Sequence, residues 1–363
     1  MLALWRIRLT VGQQARSSLG FLSTATGTDV LSFRNVPLGS ELSLQFDDSP
    51  VDVRVVNGPE EDLSIKAEGG CSVVLRKEPI NAPSLDRMRY IVMLTGVKGG
   101  GAQSQVRAVI PPRYFGLRVE TGGNVELLGG IKEARDVSIR THGGSIVLKS
   151  GLSAETVALS SGGGLVQAAE VTASEAMVDA QRVRGGANSA GYEMLEDWPK
   201  NGAIHIRRAS CLRFGANGGD VRIKSLISSS AEVCGNTINV ANANSLEGEA
   251  VFRLRPDESS PRLVHLGGVD GMIAVDDGGR AALVEMQLNR SARRVEYRTS
   301  VGTEVHCYKV PELRIVEGNG DHDGKEQNMG SQPVCHVIGT SGHDKLMVIN
   351  RSWRDSFMKR SDD

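Results

Sequence analysis

Aromatic residues are scarce in this chain of 363 residues: Phe, Trp and Tyr make up 4% of it, whereas glycine occurs 43 times. A compact α/β enzyme rarely has this composition, but a chain with many tight corners between short strands does. Neither charge sign is in excess, because 42 basic residues stand against 43 acidic ones. This balance gives no electrostatic reason to expect nucleic acid or an anionic membrane as a partner.

Long apolar runs and paired cysteine motifs are also missing. No stretch of the sequence has enough consecutive apolar residues to span a bilayer, so we predict no membrane span. The five cysteines are odd in number, scattered and without CxxC spacing. That pattern argues against a disulfide framework and predicts free, mostly buried thiols in a reducing compartment.

Acidic residues do not occur in the first 28 positions, which contain Arg6, Arg8, Arg16 and several hydroxyl side chains. A basic, hydroxyl-rich and acid-poor leader is typical of a mitochondrial transit peptide. We therefore predict that residues 1–28 are a transit peptide and that the protein is mitochondrial. A cytoplasmic protein with an N-terminal tail is the alternative.

What the sequence does contain is a repeated phrase, of which "VSIRTHGGSIVLKS" at 137–150 is an example. Its apolar and polar residues alternate on both sides of a glycine pair, which predicts two half-buried strands joined by a sharp corner with positive φ. In the unit at 212–224, Leu212, Phe214, Val221 and Ile223 are the expected inward residues. Glycine pairs recur at 122–123, 143–144, 162–163, 185–186 and 218–219. We predict structural turns at Gly122, Gly123, Gly143, Gly144, Gly162, Gly163, Gly218 and Gly219.

A unit of about 20 residues cannot bury its own apolar face, whereas stacked units share one continuous core. We therefore predict an all-β fold, a β-solenoid or β-helix-like stack of such coils. A β-sandwich of hairpins is the alternative, since Gly-Gly also suits two-residue hairpin turns. The predicted divisions are a transit peptide at 1–28, an irregular N-terminal β-rich cap at 29–115, the solenoid repeat domain at 116–310, a polar loop region at 311–345 and a C-terminal capping tail at 346–363.

Residues with obvious chemistry are few. His306, Cys307, Cys335 and His336 offer the nitrogen and sulfur ligands that zinc prefers. Adjacent strand residues point to opposite faces, so each dipeptide supplies one ligand, and we predict no metal and no cofactor. "GNGDHDGK" at 318–325 resembles a calcium loop but lacks its ligand order. No GxSxG, HExxH or Cys/His nucleophile pattern occurs, so we predict no catalytic residues.

The phrases "GGNVEL", "GGSIVL" and "GGDVRI" resemble the putative-adhesin family of unknown function that is found in many bacterial proteins. This resemblance implies a β-solenoid and no known reaction. With its Arg-containing leader and the C-terminal "RSWRDSF", the chain also resembles the animal family called family with sequence similarity 185. Neither resemblance implies catalytic or binding residues.

We therefore predict a non-catalytic scaffold or protein-interaction module that presents an outward β-face to another protein. The candidate face consists of Arg140, Lys149 and Arg222, which the alternation places outward. A β-helix enzyme acting on a carbohydrate-like polymer is the first alternative. A metal- or redox-responsive protein is the second.

Overall fold

The chain is an all-β protein. The computed structural model describes residues 22–26, 30–80, 87–97, 104–181, 202–255, 262–319, 332–339 and 345–349, which form 23 strands and, within those ranges, no helix. Several predicted features lie outside the described residues. These are the leader apart from 22–26, the glycine pair at 185–186, positions 320–325 of the calcium-like phrase, and the tail from 350 onward.

The N-terminal region is a mixed sheet. Its strands are β1 (Leu22–Thr26), β2 (Val30–Phe33), β3 (Glu41–Gln45), β4 (Asp52–Asn57), β5 (Leu63–Glu68), β6 (Cys71–Pro79), β7 (Met88–Val97) and β8 (Gln105–Ile110). Antiparallel pairs join β1 to β6, β2 to β5, β5 to β8 and β6 to β7. Strands β3 and β4 instead pair in parallel with the strands that follow this region, so they connect it to the solenoid.

The remaining strands form a parallel stack. They are β9 (Gly116–Thr121), β10 (Val125–Leu127), β11 (Ile131–Thr141), β12 (Ile146–Ser160), β13 (Val166–Asp179), β14 (Ile204–Asn217), β15 (Asp220–Gly235), β16 (Thr237–Val240), β17 (Ala243–Leu254), β18 (Leu263–Asp276), β19 (Leu283–Arg298), β20 (Glu304–Lys309), β21 (Arg314–Asn319), β22 (Val334–Gly339) and β23 (Lys345–Ile349). Every pairing described among these strands is parallel. Hairpins pair antiparallel, so the sandwich alternative is excluded and the predicted β-solenoid is confirmed.

The parallel stack does not end where the sequence suggested. Strands β21 and β22 lie within the range 311–345 that we predicted as a polar loop region, and β22 pairs with β19. Strand β23 continues the stack by pairing with β20. Strands β21 and β22 are six residues long, so their alternation of apolar and polar residues is too short to be recognised beside the polar sequence between them.

Each coil has three sides, which successive strand segments form. Side A consists of residues 125–127, 146–148, 166–168, 204–206, 221–223 and 237–240. Side B consists of residues 131–134, 152–154, 171–173, 209–211 and 226–228. Side C consists of residues 117–121, 137–141, 157–160, 176–179, 214–217 and 231–235. Inward side chains stack in columns, as Ile146, Val166 and Ile204 do on side A, all fully buried. Each such aliphatic side chain stabilises the fold by about 1.5–3 kcal/mol.

Two corners of each coil interrupt the alternation with adjacent outward residues. Glu155 and Thr156 are both exposed between sides B and C of one coil, and Leu212 and Arg213 occupy the same place two coils later. The prediction that Leu212 points inward is therefore wrong: its side chain is 60% exposed, and Cys211 is the buried residue. The corner shifts the alternation by one residue, which strict period-two reasoning does not anticipate.

The third corner, between side C and the next side A, contains the predicted glycines. Of these eight, Gly143, Gly162 and Gly163 have positive φ. Gly144 does not, but a Cβ on it would lie well within 3.0 Å of the carbonyl oxygen of Gly123 in the preceding coil. A Cβ on Gly164 would meet the carbonyl of Gly144 in the same way. Stacking of the corners, as much as backbone conformation, requires glycine here.

Buried hydroxyl groups fix the same corner. The Thr141 hydroxyl donates to the Gly144 carbonyl at 2.6 Å, and the Ser161 hydroxyl donates to the Gly164 carbonyl at 2.7 Å. Both side chains are buried, so these bonds satisfy carbonyl groups that the turn leaves without a strand partner. These two corners are therefore each built from a hydroxyl residue followed three positions later by glycine.

Candidate functional site

The structure divides the three cations of the predicted interaction face between two sides. Arg140 lies on side C, where its Nη1 is 3.8 Å from a Glu120 carboxylate oxygen. Lys149 and Arg222 lie at side A and line one groove. The structure thus brings Lys149 and Arg222 together and separates Arg140 from them.

The groove on side A has a volume of about 900 Å³ and crosses strands β12 to β16. We call it the basic groove. It is lined by Val147, Leu148, Lys149, Gln167, Ala168, Ala169, His205, Ile206, Arg207, Arg222, Ile223, Lys224, Asn239 and Ala241. Ala169 follows side A in the coil between those of Lys149 and Arg207, so its short side chain leaves room between two long ones. No acidic residue and no Phe, Tyr or Trp belongs to this lining.

A row of cations runs along the groove at the end of side A. Lys149, Arg207 and Lys224 each follow the second buried residue of side A in their own coils, and all three are exposed. Arg207 and Lys224 belong to adjacent coils, so their backbones lie about 5 Å apart, while Lys149 lies two coils, or about 10 Å, from Arg207. Sequence reasoning did not include Arg207 and Lys224 in the candidate face.

The sequence does contain the signal for this row. At the same position of three coils, a buried aliphatic residue is followed directly by a basic residue: Leu148-Lys149, Ile206-Arg207 and Ile223-Lys224. The insertion at 182–201 separates the first of these pairs from the others, so a fixed period of about 20 residues does not align them. Alignment by coil position would have found the row.

Two acidic residues stand at the edges of the groove. Lys149 Nζ is 2.5 Å from a carboxylate oxygen of Glu126, and its hydrogen bond lowers the pKa of that carboxyl group. Arg222 is 2.8 Å from a carboxylate oxygen of Asp220. Within the described parts of the chain, no carboxylate lies within 4.0 Å of Arg207.

Lys224 is likewise outside every ion pair found among the described residues. Charges of Lys149 and Arg222 are thus partly compensated within the protein, whereas those of Arg207 and Lys224 face solvent. Exposed cations without a carboxylate partner attract an anionic ligand without first breaking an internal ion pair. The groove is therefore an anion-attracting surface on a rigid parallel sheet.

The candidate metal residues face opposite ways, as their adjacency predicted. Cys307 and Cys335 are fully buried in the core, whereas His306 and His336 point outward. Burial raises the pKa of the Cys307 thiol to about 12 and that of Cys335 to about 11. Across the described ranges, no group of three His, Cys, Asp or Glu side chains is placed to hold a metal ion. These thiols therefore pack as small apolar residues.

All five cysteines are free, and four of them are buried. This confirms the prediction of free, mostly buried thiols. In the part of the chain that the structure describes, no helix has the length and apolar character that crossing a membrane would require.

No protein-family model matches the chain, and no curated protein matches it. Among solved structures, a "putative adhesin" from Parabacteroides distasonis is 8% identical, with a TM-score of 0.33, and the match covers 92% of this chain and 98% of that one. A "putative adhesin" from Bacteroides fragilis is 7% identical over 92% of this chain and 98% of its own, with a TM-score of 0.22.

A "putative cell adhesion protein" from Clostridium sporogenes is 8% identical, covers 89% of this chain and 99% of its own, and has a TM-score of 0.16.

Proposed function

We propose that this protein is a non-catalytic interaction module that binds a partner protein through side A of its solenoid. The observation that carries the proposal is the basic groove, in which Lys149, Arg207 and Lys224 project from three coils of one parallel sheet. This surface is repeated, exposed and charged, and two of its cations, Arg207 and Lys224, lie outside every ion pair found among the described residues.

The architecture supports a binding role because the surface is already ordered. Every backbone segment under the groove is held by ladders on both sides, from β12 through β16. Binding to it costs little conformational entropy of the protein, so contacts translate efficiently into affinity. Carboxylates at the groove edges, Glu126 and Asp220, favour a specific partner over general attraction to polyanions.

Two further proposals concern the chain's location and relatives. We propose that the protein is mitochondrial, supported by the acid-free leader with Arg6, Arg8 and Arg16. We also propose kinship with the animal family named above, supported by that leader and by "RSWRDSF" at 351–357.

A carbohydrate-active enzyme is not favoured by the site. Glycoside hydrolysis uses a pair of carboxyl groups flanking the bond that is broken. Glu126 and Asp220 at the groove edges are each held in an ion pair with a cation of the lining. A redox role is not favoured either, because burial raises the pKa values of Cys307 and Cys335 and so keeps their reactive thiolate forms rare.

The test is a charge reversal on one side of the solenoid. Lys149→Glu with Arg222→Glu changes the groove, and Arg140→Glu with Arg213→Glu is the control away from side A. Each of these four cations has one carboxylate partner within 4.0 Å, which is half-buried Glu126 or Asp220 for the groove pair and more exposed Glu120 or Glu175 for the control pair. All four cations are themselves exposed, so both double variants should lose only small amounts of stability. Thermal melts check that both variants fold.

Partners are then recovered from mitochondrial extract and quantified by mass spectrometry. We expect the groove variant to lose a defined set of proteins that the wild type and the control variant both retain. Equal recovery by all three proteins, or a loss confined to the control, would show that side A is not the binding surface. A catalytic turnover found by metabolite screening and lost in the groove variant would replace the proposal with an enzyme.

A further inference from the structure

We infer that the basic groove takes an extended acidic peptide segment, lying along the stack of coils. This inference rests on the proposed function and adds the chemistry of the partner. It uses three features of the groove: the row of cations, the side-chain amides of Gln167 and Asn239, and the absence of acidic residues and of Phe, Tyr and Trp from the lining.

The spacing of the cations suits an extended chain. Alternate residues of a strand-like peptide point to the same side and recur about every 7 Å. The backbones of Arg207 and Lys224 are about 5 Å apart and that of Lys149 about 10 Å from Arg207. Flexible Lys and Arg side chains can adjust across these differences, so carboxylates on alternate residues would each meet a cation.

Side-chain amides provide the second feature. Gln167 and Asn239 are exposed on the groove side of β13 and β16. An amide both donates and accepts hydrogen bonds, as the backbone of a peptide requires. The short side chains of Ala169 and Ala241 leave space for that backbone to approach the sheet.

The lining argues against the other linear polyanions. Single-stranded nucleic acid is held by aromatic side chains on which bases stack, and sites for sugar rings use aromatic platforms in a similar way. The lining contains neither Phe, Tyr nor Trp. Glu126 and Asp220 at the edges would also repel a ligand with a negative charge on every unit. A peptide can place neutral residues opposite these two acids.

The experiment measures fluorescence anisotropy of a labelled peptide of about eight alternating Glu and Ser residues, which spans the groove when extended. Parallel probes are the Lys/Ser peptide, an oligouronate and an oligothymidylate of similar length. The proteins are the wild type, Arg207→Gln, Lys224→Gln, and the controls Arg140→Gln and Arg213→Gln on other sides of the solenoid. The substituted side chains are all exposed, and melts confirm folding.

We expect the Glu/Ser peptide to bind the wild type and to bind each groove variant about tenfold more weakly, with both controls unchanged. Equal weakening in the controls would overturn the inference, because the attraction would then be nonspecific. Binding of the oligouronate or oligothymidylate without the Glu/Ser peptide would also overturn it. If no probe binds while the side A charge reversal still abolishes partner recovery, the inference fails and the proposed function stands; if that recovery is also unaffected, both fail.

Discussion

A coil corner can require glycine because its φ is positive or because the next coil leaves no room for a Cβ. Single alanine substitutions at the adjacent residues Gly143 and Gly144 test these two reasons separately. Gly143 has a φ of 103°, but a Cβ added to it would meet no atom within 4 Å. Gly144 lacks positive φ, but its Cβ would overlap the Gly123 carbonyl of the preceding coil. Gly143→Ala should therefore cost about 1–2 kcal/mol of backbone strain. Gly144→Ala should cost about 3 kcal/mol or more, because two coils must move apart.

The assay is urea unfolding followed by far-UV circular dichroism, with His142→Ala as the neighbouring control. His142 is exposed, and its ring nitrogens lie 3.2 Å from an Asp48 oxygen and 3.3 Å from a Glu120 oxygen. Exposed contacts of this kind are weak, so His142→Ala should change the free energy of unfolding by less than about 0.5 kcal/mol. If Gly143→Ala cost as much as Gly144→Ala or more, close stacking of the corners would not be the reason for the repeated glycines.

Three further predictions concern ionisation, thiols and the leader. Burial opposes ionisation of Asp277, but hydrogen bonds from Ser300 and Thr303 outweigh it and lower its pKa. Its contribution to stability is thus present above about pH 4 and lost as the pH falls further, so Asp277→Asn should flatten the loss of stability between about pH 5 and pH 3 in urea titrations. Iodoacetamide should modify half-buried Cys234 first and buried Cys307 only after unfolding, as peptide mass spectrometry would show; early modification of Cys307 would contradict its burial. N-terminal sequencing of the native protein should give a start at about residue 25–30, so that import removes most or all of β1 (Leu22–Thr26) from the sheet, whereas a full-length cytosolic form as the sole species would refute import.

The sequence was sufficient for the stacked coils but not for their corners. Alternation around Gly143-Gly144 predicts two strands and a tight turn, and these are β11, β12 and the glycine corner. Alternation could not place Leu212, because the corner between sides B and C puts two consecutive residues outward. The role of Gly144 was also hidden, since close approach between coils depends on which corners stack and not on local backbone preference.

The groove could be predicted only in part. Alternation predicts Lys149 and Arg222 as outward cations, and both line it. It predicts Arg140 as outward in the same way, because outward position along a strand does not reveal which of three sides the strand segment occupies. Gln167 and His205 are neighbours across β13 and β14, yet they are separated along the chain by the insertion at 182–201. The pairing register between coils brings these residues together, and a single sequence does not reveal that register.

The central claim, that the protein works through side A, is tested most directly by photo-crosslinking from a single strand. A photoreactive amino acid replaces Gln167, which lies in the groove on β13, or Met177, which is 57% exposed on side C of the same strand. Both variants are expressed in cells, irradiated and analysed by mass spectrometry. The account predicts a reproducible set of protein crosslinks from position 167 that is absent from position 177. Crosslinks from position 177 alone, or the same set from both positions, would contradict it.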